Sequence, residues 1–354
     1  MNNIIIHTDN SALELQKVFD DYGVGNVYFV FDENTSKACF PLIQETFDKN
    51  KGKVLILPSG EDNKTVDNVT SVWQFLHDRN ATRKSVLVNV GGGLLSDLCG
   101  FAASTFKRGI DFVNMPTTLL SQVDASVGGK TGINFNNIKN EVGLFSTPQK
   151  VIIDTAFLKT LPDEEFRSGF AEMLKHGLIH NKEHYEELIK FDASYPDYDK
   201  LADIIKTSVG VKQNIVEQDF HEKGLRKSLN FGHTVGHAIE TFAIEEKKPM
   251  PHGYAVAYGM IVELYMSSKK TSLPIDKTLH AVHHLIDIYG KLPLDIQSHT
   301  ARYQLIDLMR HDKKNEDKKI NFTLLTDIGA CVYDQYCEEE IIDEALVFLN
   351  DLNI

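Results

Sequence analysis

The stretch SVLVNVGGGLLSDLCGF, residues 85–101, places three consecutive glycines between an apolar run and a segment with helical periodicity. Residues 85–90 are rich in valine and leucine, which is typical of a buried strand. Amide groups at the start of a helix that follows such a strand can bind a phosphate group, so the stretch predicts an α/β fold that binds a nucleotide. Because Gly91, Gly92 and Gly93 do not match GxGxxG, they are also compatible with a tight turn that has no ligand.

The same alternation of strand and helix extends over the first 155 residues or so. Apolar β-type runs occupy residues 27–31, 53–57, 111–115 and 150–154, and residues 65–78 and 94–106 have helical periodicity. This rhythm predicts a mostly parallel sheet wrapped by helices. The segments FDEN (31–34) and PSGEDNKT (58–65) follow two of the strands, and acidic side chains at strand ends suit the ribose hydroxyls of a dinucleotide.

The second half of the chain has a different pattern. After Leu161-Pro162, apolar residues recur at helical spacing in residues 164–179, 200–218, 232–242 and 254–268. Residues 320–325 and 330–334 predict a late hairpin. We therefore predict an α/β domain over residues 1–158 and a mainly α-helical domain over residues 159–354.

The composition of the chain argues against several classes of binding partner. The 354 residues carry a formal net charge of −13, which argues against nucleic acid or an anionic membrane surface as partner. The four cysteines have no metal-site spacing, which favours reduced thiols and a cytoplasmic protein. No apolar run reaches the ~18 residues of a membrane span.

The segment SLNFGHTVGHAIE, residues 228–240, places His233 and His237 four residues apart on a predicted helix. Both histidines share a face with Gly236 and Glu240, and apolar residues occupy the opposite face. Since Gly236 has no side chain, another group could approach between the two imidazoles. The pair could hold a metal ion, or it could be an ordinary polar face.

Further candidate ligands lie on neighbouring segments. Residues 167–180 place Glu172, Lys175 and His176 on one helical face, a pattern that an exposed amphipathic helix would also explain. His252 precedes another predicted helix in a loop. A zinc ion with an open position needs three nitrogen or oxygen ligands. Spacing does not select three from the five candidates, which are Glu172, His176, His233, His237 and His252.

Basic residues in an acidic chain indicate an anionic ligand. Lys212 projects into the apolar stripe of residues 201–216, where a buried ammonium group needs a partner or a ligand. The glycine-rich segment SQVDASVGGKTGIN, residues 121–134, reads as a functional loop that carries Asp124 and Lys130. Lys139, Asn140 and the pair Lys107-Arg108 lie nearby in the sequence.

The combination of GGGLLSD, MPTTLLSQVDASVGGKTGIN, KNEVGLF, AEMLKHG and LNFGHTVGHAIE resembles the 3-dehydroquinate synthases, a family of sugar phosphate cyclases. The resemblance extends from about Asp32 to Lys314. It implies a Rossmann-like domain followed by a helical domain, as in dehydroquinate synthase. It also implies conversion of 3-deoxy-D-arabino-heptulosonate 7-phosphate to 3-dehydroquinate and phosphate, the second step of the shikimate pathway toward chorismate and the aromatic amino acids. The family uses NAD and a divalent metal, usually Zn²⁺, with Co²⁺ as a possible substitute.

The resemblance also implies roles for individual residues. The metal ligands would be Glu172, His233 and His252, with His237 as a catalytic residue beside the metal. The implied NAD contacts are Asp32, Asn34, Glu61, Lys64, Gly92, Gly93, Asp97, Thr117, Thr118, Lys130, Lys139 and Thr160. The implied substrate and active-site residues are Asp124, Lys130, Asn140, Lys175, Lys212, Glu222, Arg226, Asn230 and either Lys313 or Lys314. Arg108 would reach the substrate phosphate of a neighbouring subunit, which implies a homodimer.

Three alternatives remain open. Another sugar phosphate cyclase, such as a 2-epi-5-epi-valiolone synthase or a 2-deoxy-scyllo-inosose synthase, would share the NAD and metal site. The joint presence of Arg226, Asn230 and His237 favours dehydroquinate synthase over these relatives. A metal-dependent alcohol or glycerol phosphate dehydrogenase would release NADH stoichiometrically. A non-catalytic NAD-sensing protein would need the glycine turns but not the glutamate, lysines and histidines.

Overall fold

The computed structural model describes residues 4–136, 138–311 and 319–352. The chain divides into two compact units. The first unit comprises Met1–Pro162 and Tyr198–Val209, and the second comprises Asp163–Asp197 and Gly210–Ile354. The division of the chain into domains at residues 158 and 159 stays a prediction, because compactness does not test whether a segment folds on its own.

The first unit is an α/β unit with a six-stranded parallel sheet, which confirms the predicted fold class. Its strands are β1 (Ile4–Thr8), β2 (Val27–Asp32), β3 (Lys53–Leu57), β4 (Val86–Gly91), β5 (Asp111–Pro116), β6 (Lys130–Phe135), β7 (Ile138–Phe145) and β8 (Lys150–Asp154). The sheet order is β1-β8-β5-β4-β2-β3, and β6 pairs with β7 in a separate antiparallel hairpin.

Both faces of the sheet are buried, which explains why its central strands are apolar without alternation. All six residues of β2 are buried. Phe29 and Phe31 belong to the core on one face of the sheet, and Tyr28 and Val30 belong to the core on the other. The helices of this unit are α1 (Ser11–Tyr22), α2 (Thr35–Ala38), α3 (Gln44–Lys49), α4 (Val66–Asp78) and α5 (Gly93–Thr105).

The strand order contains a topological switch point. The chain proceeds from β2 outward to β3, then returns to β4 and continues in the opposite direction through β5 and β8. A crevice therefore opens outside the carboxyl ends of β2 and β4, where open α/β sheets bind their ligands. Asp32 ends β2, and Gly91 ends β4.

The segment predicted as a glycine-rich loop is more ordered than expected. Residues Ser121–Ala125 form a π-helical turn, and Lys130–Phe135 form strand β6. The prediction was wrong here because the partner strand β7 lies outside the segment and every residue of β7 is exposed. Strand β1 was also missed, although its pairing with β8 completes the sheet.

The second unit is mainly helical, as predicted. Its elements are α6 (Asp163–His180), α7 (Lys182–Leu188), α9 (His233–Glu245), α10 (His252–Lys270), α11 (Ile275–Tyr289), α12 (His299–Arg310), β9 (Asn321–Asp327), β10 (Ala330–Tyr336) and α13 (Glu339–Asp351). Helix α8 (Tyr198–Gln218) begins in the first unit and continues in the second. Strands β9 and β10 confirm the predicted late hairpin. Among the described residues, no helix is both long and apolar enough to span a bilayer.

Glycines bring α9 and α10 into close backbone contact. A Cβ atom on Gly259 would lie 2.0 Å from the carbonyl oxygen of Gly232, and one on Gly236 would lie 3.0 Å from that of Ala255. The group that approaches Gly236 is therefore the α10 backbone. Close packing also buries α6 on all sides between Ser168 and Ile179, which excludes the exposed amphipathic helix.

Candidate functional site

Three helices of the second unit bring Glu172, His233 and His252 together. Glu172 lies in α6, and each histidine is the first residue of its helix. The amide of Gly253 donates to the buried hydroxyl of Ser168 at 3.0 Å, which holds the start of α10 against α6. His252 was predicted in a loop before α10, but it is the first residue of that helix.

The start of α9 is held by a buried carboxylate. Glu263 of α10 is fully buried and accepts a hydrogen bond of 2.7 Å from the amide of Gly232. Gly232 has a left-handed φ of 78°, a conformation that favours glycine, and a Cβ atom there would collide with Met260. These contacts fix the position of His233 at the start of α9.

The separations in this cluster fit a metal ion. Oε1 of Glu172 lies 3.5 Å from Nε2 of His233 and 3.6 Å from Nε2 of His252. These distances are too long for good hydrogen bonds. Two ligand atoms ~2.1 Å from a tetrahedral zinc ion lie roughly 3.4 Å apart, which is close to the observed spacing. The ligand atoms of all three residues lie within 4.8 Å of one another.

The orientation of both imidazole rings is also suited to metal binding. Nδ1 of His233 faces the carbonyl oxygen of Phe231 at 3.2 Å, and Nδ1 of His252 faces Oε2 of Glu240 at 3.4 Å. An acceptor at Nδ1 favours the tautomer in which Nε2 carries the lone pair. Nε2 of each ring is the atom that faces Glu172.

Charges around the cluster shift two pKa values. Burial alone would raise the pKa of Glu172, but the Lys175 ammonium and the His252 imidazole hold it well below its usual range. Burial opposes the charged form of His252, but the nearby carboxylates of Glu172 and Glu240 raise its pKa to about 10. The chain without a metal therefore holds a proton on His252 at neutral pH.

His237 and Lys175 lie beside the cluster. The ring centroid of His237 is 5.4 Å from that of His233 and 6.0 Å from that of His252, and His237 is not part of the three-residue group. Lys175 is only 1% exposed and forms an ion pair with Glu172. Lys212, 6% exposed, is buried as its position in the apolar stripe predicted.

The connection between α8 and α9 carries three further predicted residues. The Asn230 side-chain amide donates to Glu222 at 2.9 Å, and the Arg226 guanidinium donates to the carbonyl oxygen of Phe220 at 2.7 Å. The Asp219 carboxylate organises this connection by accepting from the amides of Lys223, Gly224 and Arg226. A cavity of about 570 Å³ opens beside it, with Glu222 and Asn230 in its wall.

In the first unit, the residues implied as NAD contacts collect at the carboxyl edge of the sheet. They follow β2 (Asp32, Asn34), β3 (Glu61, Lys64), β4 (Gly92, Gly93, Asp97), β5 (Thr117, Thr118) and β8 (Thr160), while Lys139 lies in β7. Gly92 precedes α5 without a side-chain cap, and a Cβ atom on it would lie 3.2 Å from Thr118. A glycine at the start of a helix that follows a strand leaves the first amides accessible, which suits a pyrophosphate group.

Lys64 connects several of the predicted residues. Its buried ammonium lies 2.5 Å from Asp97, 2.5 Å from the side-chain oxygen of Asn140 and 3.7 Å from Glu61. Burial would lower the pKa of Lys64, but Asp97 and Glu61 raise it above its ordinary value. Asp124 lies in the π-helical turn after β5, and Lys130 begins β6.

Arg108 lies on an unusual exposed turn. Lys107 and Arg108 have consecutive left-handed φ angles of 51° and 69°, and Gly109 follows with 107°. Two successive non-glycine residues in this region cost roughly 1–2 kcal/mol each, and such strain is concentrated at functional sites.

Lys313 and Lys314, the alternatives for one substrate contact, lie outside the described residues. Two other residues were missed as parts of the site. Glu240 was placed on the correct helical face, but its contact with His252 depends on a residue 12 positions away. Asn134 lay within a quoted motif, but no pattern in the sequence indicated its contacts.

Comparison with known proteins gives a consistent result. Residues 54–168 match the family model "3-dehydroquinate synthase N-terminal", and residues 169–315 match "3-dehydroquinate synthase C-terminal". The chain is 43% identical over 338 residues to a 3-dehydroquinate synthase of Parabacteroides distasonis, covering 96% of this chain and 95% of the relative.

Two solved structures are similar in fold. A 2-epi-5-epi-valiolone synthase from Streptomyces hygroscopicus with bound NAD⁺ and Zn²⁺ has a TM-score of 0.87 at 21% identity, covering 99% of this chain and 98% of that one. A 2-deoxy-scyllo-inosose synthase complexed with carbaglucose-6-phosphate, NAD⁺ and Co²⁺ has a TM-score of 0.84 at 24% identity, covering 97% and 95%. At these identities the likeness establishes the fold alone.

Metal binding should release protons from His252. Because its pKa is about 10 without a metal, a metal must displace a proton at any lower pH, and affinity should rise roughly tenfold per pH unit up to that pKa. We expect about one proton released per Zn²⁺ near pH 8, measured by calorimetry in buffers of different ionisation enthalpy. Glu240→Gln removes one of the carboxylates that stabilise the charged imidazole of His252. This variant should therefore release fewer protons per Zn²⁺. Absence of proton release near pH 8, where an ordinary imidazole is neutral, would contradict this.

Proposed function

The chain belongs to the 3-dehydroquinate synthase family, and we propose that it converts 3-deoxy-D-arabino-heptulosonate 7-phosphate to 3-dehydroquinate and phosphate. The observation that carries the proposal is the Glu172, His233 and His252 group beside Lys175 and His237, in a chain that matches both halves of the family. The family reaction passes through transient oxidation, loss of phosphate, reduction, ring opening and aldol closure.

We propose NAD and a divalent metal, Zn²⁺ in the first instance, as cofactors. NAD and the metal supply, respectively, a reversible hydride acceptor and polarisation of the substrate oxygens. Glu172, His233 and His252 hold the metal, as their spacing supports. The strand-end residues of the first unit hold NAD: Gly92 and Gly93 leave room for the pyrophosphate at the start of α5, and the carboxylates of Asp32, Glu61 and Asp97 are suited to hydroxyl groups.

Buried basic residues of the second unit bind the anionic substrate. Lys175, Lys212 and Arg226 are each at least 94% buried and supply cationic donors for the carboxylate and phosphate groups. Asn230 and Glu222, which are hydrogen-bonded to each other, orient hydroxyl groups. The remaining substrate contacts are Asp124, Lys130, Asn140 and one of the alternatives Lys313 and Lys314. Fixing one flexible substrate through several steps is mainly a positioning task, which can contribute ~7 kcal/mol or more.

His237 carries protons in this proposal. It lies beside the metal ligands but outside the three-residue group. An imidazole can accept and donate protons near neutral pH. Its position on α9, one turn after His233, keeps it close to a substrate bound at the metal without removing a ligand from that metal.

The alternative is another sugar phosphate cyclase. The two similar solved structures are cyclases of that kind, but each is less than 25% identical to this chain, whereas the dehydroquinate synthase of P. distasonis is 43% identical. The joint presence of Arg226, Asn230 and His237 also favours dehydroquinate synthase.

We further propose a cytoplasmic homodimer. All four cysteines are free thiols in the structure, which supports a reducing compartment. Arg108 lies on a strained, exposed turn. This position supports contact of its side chain with the phosphate group bound by a neighbouring subunit.

The reaction itself is the first test. Incubation with heptulosonate phosphate, NAD and Zn²⁺ should release phosphate and dehydroquinate in equal amounts, measured by a phosphate assay and mass spectrometry, without net NADH. Glucose 6-phosphate, whose carba analogue is bound in the 2-deoxy-scyllo-inosose synthase structure, is the control substrate. Turnover of the control alone would favour that cyclase, and stoichiometric NADH would indicate a dehydrogenase.

The substitution His237→Ala should separate chemistry from binding. We expect the variant to retain metal and NAD and to lose most turnover, roughly 10²-fold or more for loss of one proton-transfer group. Metal content by elemental analysis and NAD affinity by fluorescence titration are the controls. A variant purified without metal would show instead that His237 is a ligand.

Subunit complementation should reveal where Arg108 acts. Arg108→Ala and His237→Ala chains, coexpressed with different tags and purified as the mixed dimer, should show about half of wild-type activity. If Arg108 acts on the neighbouring subunit, one active site of the mixed dimer carries both substitutions and the other carries neither. If Arg108 serves its own subunit, each site carries one defect, and the mixed dimer should be as inactive as its parents.

A further inference from the structure

Asn134 in β6 makes hydrogen bonds to three residues that the proposed function assigns to cofactor or substrate. Its backbone amide donates to the carbonyl oxygen of Lys64 at 2.8 Å. Its side-chain nitrogen donates to the backbone and carboxylate oxygens of Glu61 at 3.3 and 3.2 Å. Its side-chain oxygen accepts from the amide of Asn140 at 2.9 Å. One side chain thus contacts the segment after β3 and the neighbouring strand β7.

The backbone around Asn134 is irregular in a way that serves these contacts. The pairing of β6 with β7 shifts register between Ile133 and Phe135, so that residues 139–141 of β7 form a bulge opposite the single residue Asn134. Bulges redirect a side chain relative to the regular sheet and are frequent beside active sites. Asn140, in the middle of this bulge, has a left-handed φ of 52°, a conformation that is uncommon for residues other than glycine.

The two contacts of Asn134 reinforce the network around Lys64. The Lys64 ammonium is buried and depends on the oxygens of Asp97 and Asn140 for stabilisation. Asn134 holds the Asn140 backbone, and it also holds Glu61, whose side chain is 41% exposed and lies 3.7 Å from the Lys64 ammonium. The Asn134 amide supplies the donor and the acceptor on two separate atoms of one short side chain.

We propose that Asn134 is a positioning residue that couples the NAD subsite to the substrate subsite through Glu61 and Asn140. This inference rests on the proposed function for the roles of those two residues. Asn134 itself touches neither ligand. Its side-chain nitrogen holds the proposed cofactor contact Glu61, and its side-chain oxygen holds the proposed substrate contact Asn140.

Two substitutions separate the role of the side-chain nitrogen of Asn134 from the role of its side-chain oxygen. Asn134→Ala removes both and should weaken NAD binding and raise the substrate KM, each about five- to tenfold, as expected for loss of one or two hydrogen bonds. Asn134→Asp keeps the acceptor for Asn140 but places a carboxylate against Glu61. It should therefore restore the substrate KM toward the wild-type value and leave NAD binding weak. Values of kcat at saturation should change less than either binding constant.

Asn136→Gly is the matched control. Asn136 lies in the turn of the same hairpin with a φ of 49°, so glycine preserves the backbone while removing an equivalent amide. Neither binding constant should change. Thermal unfolding of each variant identifies the temperature at which all chains are folded, and the assays are performed there.

The outcomes are distinct. Wild-type values for both constants in folded Asn134→Ala would overturn the inference while leaving the proposed function intact. Equal effects of Asn134→Ala and Asn134→Asp on the substrate KM would also overturn the inference. The side-chain oxygen that accepts from the Asn140 amide would then have no influence on substrate binding. If the wild-type chain binds NAD but releases no phosphate, the proposed function fails. NAD titration of the two variants would then still decide the contact with Glu61.

Discussion

The carboxylate of Glu172 is completely buried in the second unit, and a buried charge is tolerated only among compensating charges. Lys175 forms an ion pair with it from the next turn of α6, and Nε2 atoms of His233 and His252 face it at 3.5 and 3.6 Å. The surrounding packing serves this arrangement. Ser168 holds the start of α10, and Glu263 holds the start of α9. Glycines let those two helices approach each other, so that the three candidate ligands meet.

The first unit obeys a different constraint. Parallel strands end at one edge of the sheet, and the reversal of strand order between β2 and β4 leaves a crevice there. The ends of five neighbouring strands, and the segments that follow them, supply glycines, carboxylates and hydroxyls to this edge. The buried Lys64 then connects the turn after β3 to the start of α5 and to the hairpin of β6 and β7. The two units thus reach functional sites by different means: one by the topology of a sheet, the other by convergence of helix termini.

Much of the fold could be predicted because its signals are local. The runs at residues 27–31, 53–57, 85–90, 111–115 and 150–154 are all strands. A strand buried on both faces must be apolar throughout, which explains every run except that of the partly exposed edge strand β3. The inward position of Lys212 followed from helical periodicity. Strand β7 had no such signal because it is exposed along its length, and β6 was therefore read as loop. The exposed-helix interpretation of α6 failed because periodicity does not report how many neighbours surround a helix.

The sequence by itself determined the fold class, the glycine turn before α5 and the residue types of the site, because these depend on neighbours within a few positions. Tertiary structure alone decided which three of five candidate ligands stand within 4.8 Å, and that His252 is paired with Glu240. It also decided that Asn134 joins Glu61 to Asn140. Those choices depend on the packing of segments distant in the chain. Packing of that kind arises from the shapes of whole helix and strand surfaces, which local periodicity does not encode.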